Sequence, residues 1–164
     1  MNAYPIPVPT DTIREPGFHF DSEEHCFIVF AGGEAFGLPV DRVQTIFQME
    51  AVTAVPLGPR EILGLVNLRG KIVTAVSLRR RLQISDLISK KPRLAIGMEH
   101  RGENFALVID EVGDVIVLDP ERRIPMPPHL DPQRTKLTES IYRLDSQILS
   151  LLNMESIFDF QRRN

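Results

Sequence analysis

The chain has 164 residues, 43% of them hydrophobic, 25% charged and 7% aromatic, and 19 Lys+Arg against 22 Asp+Glu leave a formal charge of −3. A chain of this size buries about two-thirds of its unfolded surface, in one domain or two small subdomains sharing a core, so folding requires neither disulfide nor metal. The charge argues against a dedicated nucleic-acid binder, which carries a strong basic excess.

Residues 1–23 carry Pro5, Pro7, Pro9 and Pro16 among polar residues and read as an extended tail. The first residues have neither the positive start nor the apolar centre of a secretory signal. Cys26 is the only cysteine, so no internal disulfide is expected and a reducing cytoplasm fits. It sits in the apolar run Cys26-Phe27-Ile28-Val29-Phe30 and reads as a small buried hydrophobe. From there the signals are β: short β-branched runs bounded by Gly, Pro or Asp. Phe27–Ala31 and Phe36–Leu38 predict a hairpin across Gly32-Gly33. Pro39 and Asp41 predict a short helix with Val40, Val43 and Ile46 on one face. Val52–Val55 predicts a strand. Gly64–Leu68 and Lys71–Val76 predict a hairpin across Arg69-Gly70, and Ser77 an N-cap for a turn running to Leu82.

A second set follows. Strands are predicted at Leu94–Met98, Phe105–Ile109 and Val115–Leu118, with a turn at 100–103. Residues 119–135 hold Pro120, Pro125, Pro127, Pro128 and Pro132 and read as a stiff connector. Leu137–Leu144 and Ile148–Leu152 predict a last hairpin, and Asn153 a cap for a final helix through Phe160. No apolar run approaches the roughly 18 residues of a membrane helix.

The two sets repeat one another. Gly33-Glu34-Ala35-Phe36-Gly37-Leu38 through Val43 aligns without a gap on Gly102-Glu103-Asn104-Phe105-Ala106-Leu107 through Val112. Gly64–Leu82 aligns on Ser140–Phe158, with Leu68 on Leu144, Ile72 on Ile148 and Ser77 on Asn153. Each unit is small for an independent core, so the two are expected to pack together, and short strands with many turns favour small barrels.

Catalytic equipment is sparse. Gly64–Ile72 misses the phosphate-loop spacing by one residue and precedes a strand, where no helix dipole holds phosphate. His19, His25, His100 and His129 form no short-range ligand pair. Asp110, Glu111 and Asp114 read as solvated turn carboxylates, although they contain an acid–base pair in principle. Arg79-Arg80-Arg81 with Lys90, Lys91 and Arg93 reads as a solvated basic face or a site for an acidic partner, without aromatics for base stacking. Binding is the default function. The hairpin turn Asn67-Leu68-Arg69-Gly70 is its best local candidate, because Arg69 presents a fork of donors from a turn that Gly70 permits.

The segment from Phe27 to Leu82 resembles the CheW family of bacterial chemotaxis coupling proteins. The resemblance rests on Gly33–Leu38, Val43-Gln44-Thr45-Ile46, Gly64-Leu65-Val66-Asn67-Leu68-Arg69-Gly70-Lys71-Ile72-Val73 and Leu78-Arg79. It continues through Asp110–Val115 and Ile148–Phe158, covering residues 24 to 160. The resemblance implies a mostly β fold of two five-stranded SH3-like barrels sharing a core, with short helices including a C-terminal one. It implies one domain over 24–160, with 24–90 as the first barrel, 91–160 as the second, and strand exchange allowed at the boundaries. It implies a non-enzymatic, cofactor-free cytoplasmic adaptor, monomeric when free and recruited to membrane-associated arrays. The implied partners are the regulatory domain of the histidine kinase CheA and the cytoplasmic tip of methyl-accepting receptors. Receptor contacts carry over to Val43, Thr45, Asn67, Arg69 and Gly70, with Arg93 or Leu94, and kinase contacts to Val52 and Thr53. Thr45 stands where the family usually has an acid, so a charge expected at the receptor groove is missing; Ser77 replaces the usual Asp and still caps a helix. The alternatives are a scaffold of a paralogous pathway that does not activate the kinase, and a small-barrel nucleic-acid-binding module.

Overall fold

The computed structural model describes residues 25–85 and 93–160. The tail expected over 1–23 and the Lys90-Lys91 pair lie outside the described residues. Strands β1 (His25–Ala31) and β2 (Glu34–Pro39) form the first hairpin, followed by a 3-10 turn at Val40–Arg42 and β3 (Val43–Met49). β4 (Ile62–Leu68), β5 (Lys71–Ser77) and α1 (Leu78–Arg81) complete the first set. β6 (Arg93–His100), β7 (Glu103–Ile109) and β8 (Glu111–Val117) open the second. A 3-10 turn at Pro120–Arg122, β9 (Arg123–Ile124), α2 (Pro132–Leu137), β10 (Thr138–Arg143), β11 (Ile148–Leu152) and α3 (Met154–Ile157) close it.

The strands form two sheets, in the orders β8-β1-β2-β11-β10-β9 and β3-β6-β7-β5-β4. β2 runs parallel to β11 and β5 parallel to β7; the other pairs are antiparallel. The fold is mostly β with short helices, as expected, but one sheet has six strands rather than five. Neither hydrogen-bonded ladder closes into a ring among the described residues. β3 leaves the sheet of β2 to pair with β6, and β8 leaves the sheet of β7 to pair with β1. Each sheet therefore takes strands from both sides of residue 90.

The internal repeat is visible down to its irregularities. β3 carries an extra residue between Val43 and Thr45 opposite β6, and β8 carries one opposite Phe27 and Val29 of β1. β4 and β10 carry matching bulges before Gly64 and Ser140. Gly33 and Gly102 hold the same turn position at φ +80°, the left-handed region that a two-residue hairpin turn demands.

Four local expectations are corrected. The helix expected after Pro39 is a single 3-10 turn, and Val43–Met49 is a strand. The three-residue apolar spacing that suggested a helix comes from the bulge, which puts Val43 and Ile46 on the same face of β3. The strand expected at Val52–Val55 is one bridge, Thr53 to Leu65; Pro56 and Pro59 remove the donors a longer ladder needs. The stiff connector contains β9 and, from Pro132, the helix α2, so Leu137 ends a helix rather than opening a strand. The last helix stops at Ile157, well before Phe160. Ser77 and Asn153 cap as expected, accepting from the amides of Arg80 and Ser156 at 3.2 Å each.

The main core lies between the sheets. Val29, Phe36 and Leu38 come from one sheet, Ile96, Met98 and Leu107 from the other, and Leu78, Leu137 and Ile157 from the helices. Each such side chain contributes about 1.5–3 kcal/mol by leaving water. Smaller clusters fill the far faces, one around Cys26, Ile28 and Leu149, the other around Val66, Val73, Ala75 and Ala95.

The basic run 79–81 is not a solvated face. Arg79 grips Asp110 through Nε at 2.8 Å and Nη2 at 2.6 Å, and donates to the Ser85 carbonyl. Asp110 also accepts from the Gly32 amide at 2.8 Å. Arg81 is buried and donates to the carbonyls of Ser156 at 2.5 Å and Asp159 at 3.4 Å, so α1 holds the end of α3. Burial pushes its pKa down against the opposing carboxylates of Glu61 and Asp159.

Burial pushes the Asp110 carboxyl pKa up. The Arg79 hydrogen bonds, the Gly32 amide and the Arg79 charge outweigh burial and hold it below the ordinary value. A carboxyl with a depressed folded pKa stabilises the fold above its unfolded pKa and loses that contribution as pH falls through the folded pKa. Asp110→Asn is expected to be less stable near neutrality and to show a shallower loss of stability below about pH 4, the unfolded carboxylate range. Urea denaturation midpoints across that range measure both.

Candidate partner-binding surfaces

The turn between β4 and β5 holds three of the sequence candidates. Arg69 and Gly70 both adopt positive φ, +51° and +83°. The side-chain oxygen of Asn67 accepts from the Gly70 amide at 2.9 Å, which fixes the turn from within. All three are exposed. Arg69 makes no hydrogen bond or ion pair among the described residues, so its donors face outward.

Thr45 converges on this turn. A Cβ on Gly97 would lie 2.7 Å from the Thr45 methyl and 3.3 Å from a Leu68 methyl, so the two side chains meet over the bare Gly97 backbone. β3 and β4 are the two edges of their sheet, and their meeting carries Thr45 to the residue preceding Arg69.

Val43 is separated from Thr45 despite the two-residue spacing, because the bulge between them turns Val43 towards the inter-sheet core. Leu94 packs on that same core face, opposite Gln48 and Ile109. Arg93 is exposed, paired with Met49 four residues along β6 from Gly97, about 13 Å at strand rise. The candidate set is thus one cluster, Thr45 with Asn67, Arg69 and Gly70, and three outliers.

Val52 and Thr53 lie against β4. Thr53 exchanges hydrogen bonds with Leu65 at 2.9 and 2.8 Å. Gly64, at φ +145°, has the Thr53 carbonyl oxygen 2.1 Å from where its Cβ would stand. Val52 is 37% exposed, and it has company that sequence reasoning missed: Val55, Leu57, Leu65 and Ile72. Leu57 is fully exposed at φ +62°. Leu65 and Ile72 are diagonal neighbours on the outer face of β4–β5. The available signal was the alternation Leu65-Val66-Asn67-Leu68, which puts Leu65 on the side of polar Asn67.

A polar cleft of about 320 Å³ opens at the start of β3, between Asp41, Arg42, Gln44, Glu99, His100, Arg101 and Glu155. Among the described residues no three His, Cys, Asp or Glu side chains are placed to share a metal ion. Asp110, weighed as an acid or base, is committed to Arg79 and the Gly32 amide. No described helix is long and apolar enough to cross a membrane.

The CheW-like domain family matches residues 25–162. The chemotaxis protein CheW of Bacillus subtilis is 23% identical over 137 residues, 83% of this chain and 87% of that protein. That of Helicobacter pylori is 27% identical over 139 residues, 84% of each. The crystal structure of the scaffolding protein TtCheW from Thermoanaerobacter tengcongensis superposes with a TM-score of 0.75 at 26% identity, covering 86% of this chain and 96% of that one. The match agrees with two SH3-like subdomains.

Gly64→Ala is expected to cost about 2 kcal/mol or more, since its Cβ meets backbone at a positive φ. Amide exchange at Leu65 should accelerate with it, because the Thr53 bridge is what must move. Denaturation midpoints and hydrogen exchange check the two effects.

Proposed function

The chain belongs to the CheW-like domain family, a chemotaxis scaffold and adaptor family, and from that premise we propose that it couples methyl-accepting receptors to the regulatory domain of the kinase CheA.

One observation carries the reading. Of the seven exposed large hydrophobic side chains among the described residues, five belong to the β4–β5 hairpin and the loop that leads into it. Such a concentration of apolar surface marks a protein contact rather than scattered exposure. Val52 and Thr53 sit within it, and it is the surface proposed for the kinase. The receptor is proposed to meet the turn end of the same hairpin, where Arg69 and the Thr45 edge of β3 face a helix laid alongside. The hairpin would then bridge two partners as a rigid body. Each contact need only be modest, since an array of many copies supplies avidity.

Thr45 favours a second reading, a scaffold of a paralogous pathway. With a hydroxyl where the family usually has an acid, Arg69 has no carboxylate beside it among the described residues. A receptor that brings its own carboxylate fits this turn better than one that relies on the adaptor's.

Arg69→Glu is expected to weaken binding of a receptor-tip fragment at least tenfold, the cost of losing a charged hydrogen-bonded contact, and to leave CheA binding unchanged. Val52→Asp should do the reverse. Titration calorimetry with each partner reads both. Binding to the kinase alone would favour the paralogous scaffold, and binding to neither would overturn the coupling role. A flat salt dependence against RNA would dispose of the nucleic-acid alternative.

A further inference from the structure

The start of β3 is held differently from its repeat mate. At the start of β8 the Asp110 amide donates to the Phe30 carbonyl at 2.9 Å, so main chain pins the strand to β1. At the start of β3 the 3-10 turn Val40–Arg42 takes that place, and the Arg42 side chain does the work. Its Nη2 donates to the Glu99 carbonyl at 3.3 Å and to His100 Nδ1 at 3.0 Å. Glu99 is the repeat mate of Phe30, so a guanidinium replaces an amide at the equivalent carbonyl.

A guanidinium has only donors, so Nδ1 of His100 must accept and the ring proton sits on Nε2. Nε2 lies 3.6 Å from the Glu155 carboxylate, which also pairs with Arg101 at 2.9 Å. The imidazole is 7% exposed, and its ring packs 5.5 Å from Phe158. A chain of contacts thus runs from α3 through His100 to Arg42, the residue preceding Val43. We propose that His100 is a positioning residue for the receptor-facing strand, and that protonating its imidazole releases Arg42 and loosens the start of β3.

The chemistry follows from Nδ1. A second proton turns it from acceptor to donor, setting N–H against N–H and cation against cation at the Arg42 contact. Charged groups of both signs surround the ring. The carboxylates are Glu155 on α3, Glu99 beside the ring, Glu103 opposite it on β7 and Asp41 across the cleft, and the cations are Arg42 and Arg101. Whatever the balance, the Arg42 bond cannot survive the second proton. The cleft opens this pair to water.

The inference rests on the proposal that β3 meets the receptor, and the test separates the two. Receptor-tip and CheA regulatory-domain affinities are measured on the full chain from about pH 8 to about pH 5, the span in which histidine changes charge. Receptor affinity should fall about tenfold towards acid, the scale of one charged hydrogen bond, with kinase affinity changing less than about twofold. His100→Asn puts an amide oxygen where Nδ1 stood and cannot titrate. It should keep the affinity seen at high pH and abolish the acid loss. His100→Leu should behave at every pH as the wild type does in acid. An unchanged acid loss in His100→Asn, or a wild-type affinity in His100→Leu, overturns the proposal. In the free protein, NMR shifts of the Val43 and Thr45 amides should follow the imidazole titration and cease to do so in His100→Asn. Amides that ignore the imidazole overturn the positioning role even if no receptor binds. Amides that follow it while no receptor binds leave the positioning intact and overturn the receptor assignment.

Discussion

Everything in this structure depends on one exchange. After its first hairpin each repeat sends its third strand and those that follow across to the other sheet, so β3 pairs with β6 and β8 with β1. A unit of about 70 residues buries too little apolar surface to be comfortable alone. The exchange removes that option, since in each sheet a hairpin from one half of the chain lies between strands of the other. The inter-sheet core, with Phe36 and Leu38 against Ile96, Met98 and Leu107, is the packing consequence. Two subdomains joined this way are expected to unfold together, and their relative orientation is a property of the core rather than of a linker. That rigidity is what an adaptor requires, because a bridge transmits geometry only if it does not bend between its contacts.

The repeats agree in backbone and disagree in polar ties. Where the second repeat begins its exchanged strand, Asp110 locks to Arg79 and to the Gly32 amide, and its own amide bonds Phe30. Where the first repeat begins its exchanged strand, the mate of Arg79 is Glu155 and the mate of Gly32 is Arg101, and the tie passes through Arg42 and His100. One junction is closed by a guanidinium clasping a carboxylate. The other keeps a polar cleft beside an imidazole ring. The divergence falls at the start of the strand that carries Val43 and Thr45.

The β4–β5 hairpin shows how little sequence is needed to make two surfaces. Alternation along β4 sends Val66 and Leu68 into the small core beneath and Leu65 and Asn67 outward. The turn then offers Arg69 free of partners among the described residues, and the loop before the hairpin lays Val52 and Thr53 against Gly64. Packing inside, an apolar outer face and a cationic tip come from twenty-one residues, 52–72.

Local chemistry was legible where one residue type has one use. Glycine at 33, 70 and 102 marked the hairpin turns, Ser77 and Asn153 marked helix starts, and the gapless match of Gly33–Val43 with Gly102–Val112 announced the repeat. The turn Asn67–Gly70 could be singled out because Gly70 permits the turn and Arg69 presents donors from it. The residues alone fit an ordinary hairpin equally well, and it was the family resemblance that set the turn apart. What the sequence could not supply was any fact set by contact between distant segments. The bulge at Gln44 mimicked helical spacing, and it put Val43 and Thr45 on opposite faces, because register is decided by the partner strand and β6 lies fifty residues away. Arg79 and Arg81 looked like surface charge because Asp110 and the end of α3 are remote in sequence. The length, the turns and the repeat belonged to the sequence. Which edge each third strand joins, and therefore which side chains share a surface, was settled only when two incomplete sheets buried their apolar faces against each other.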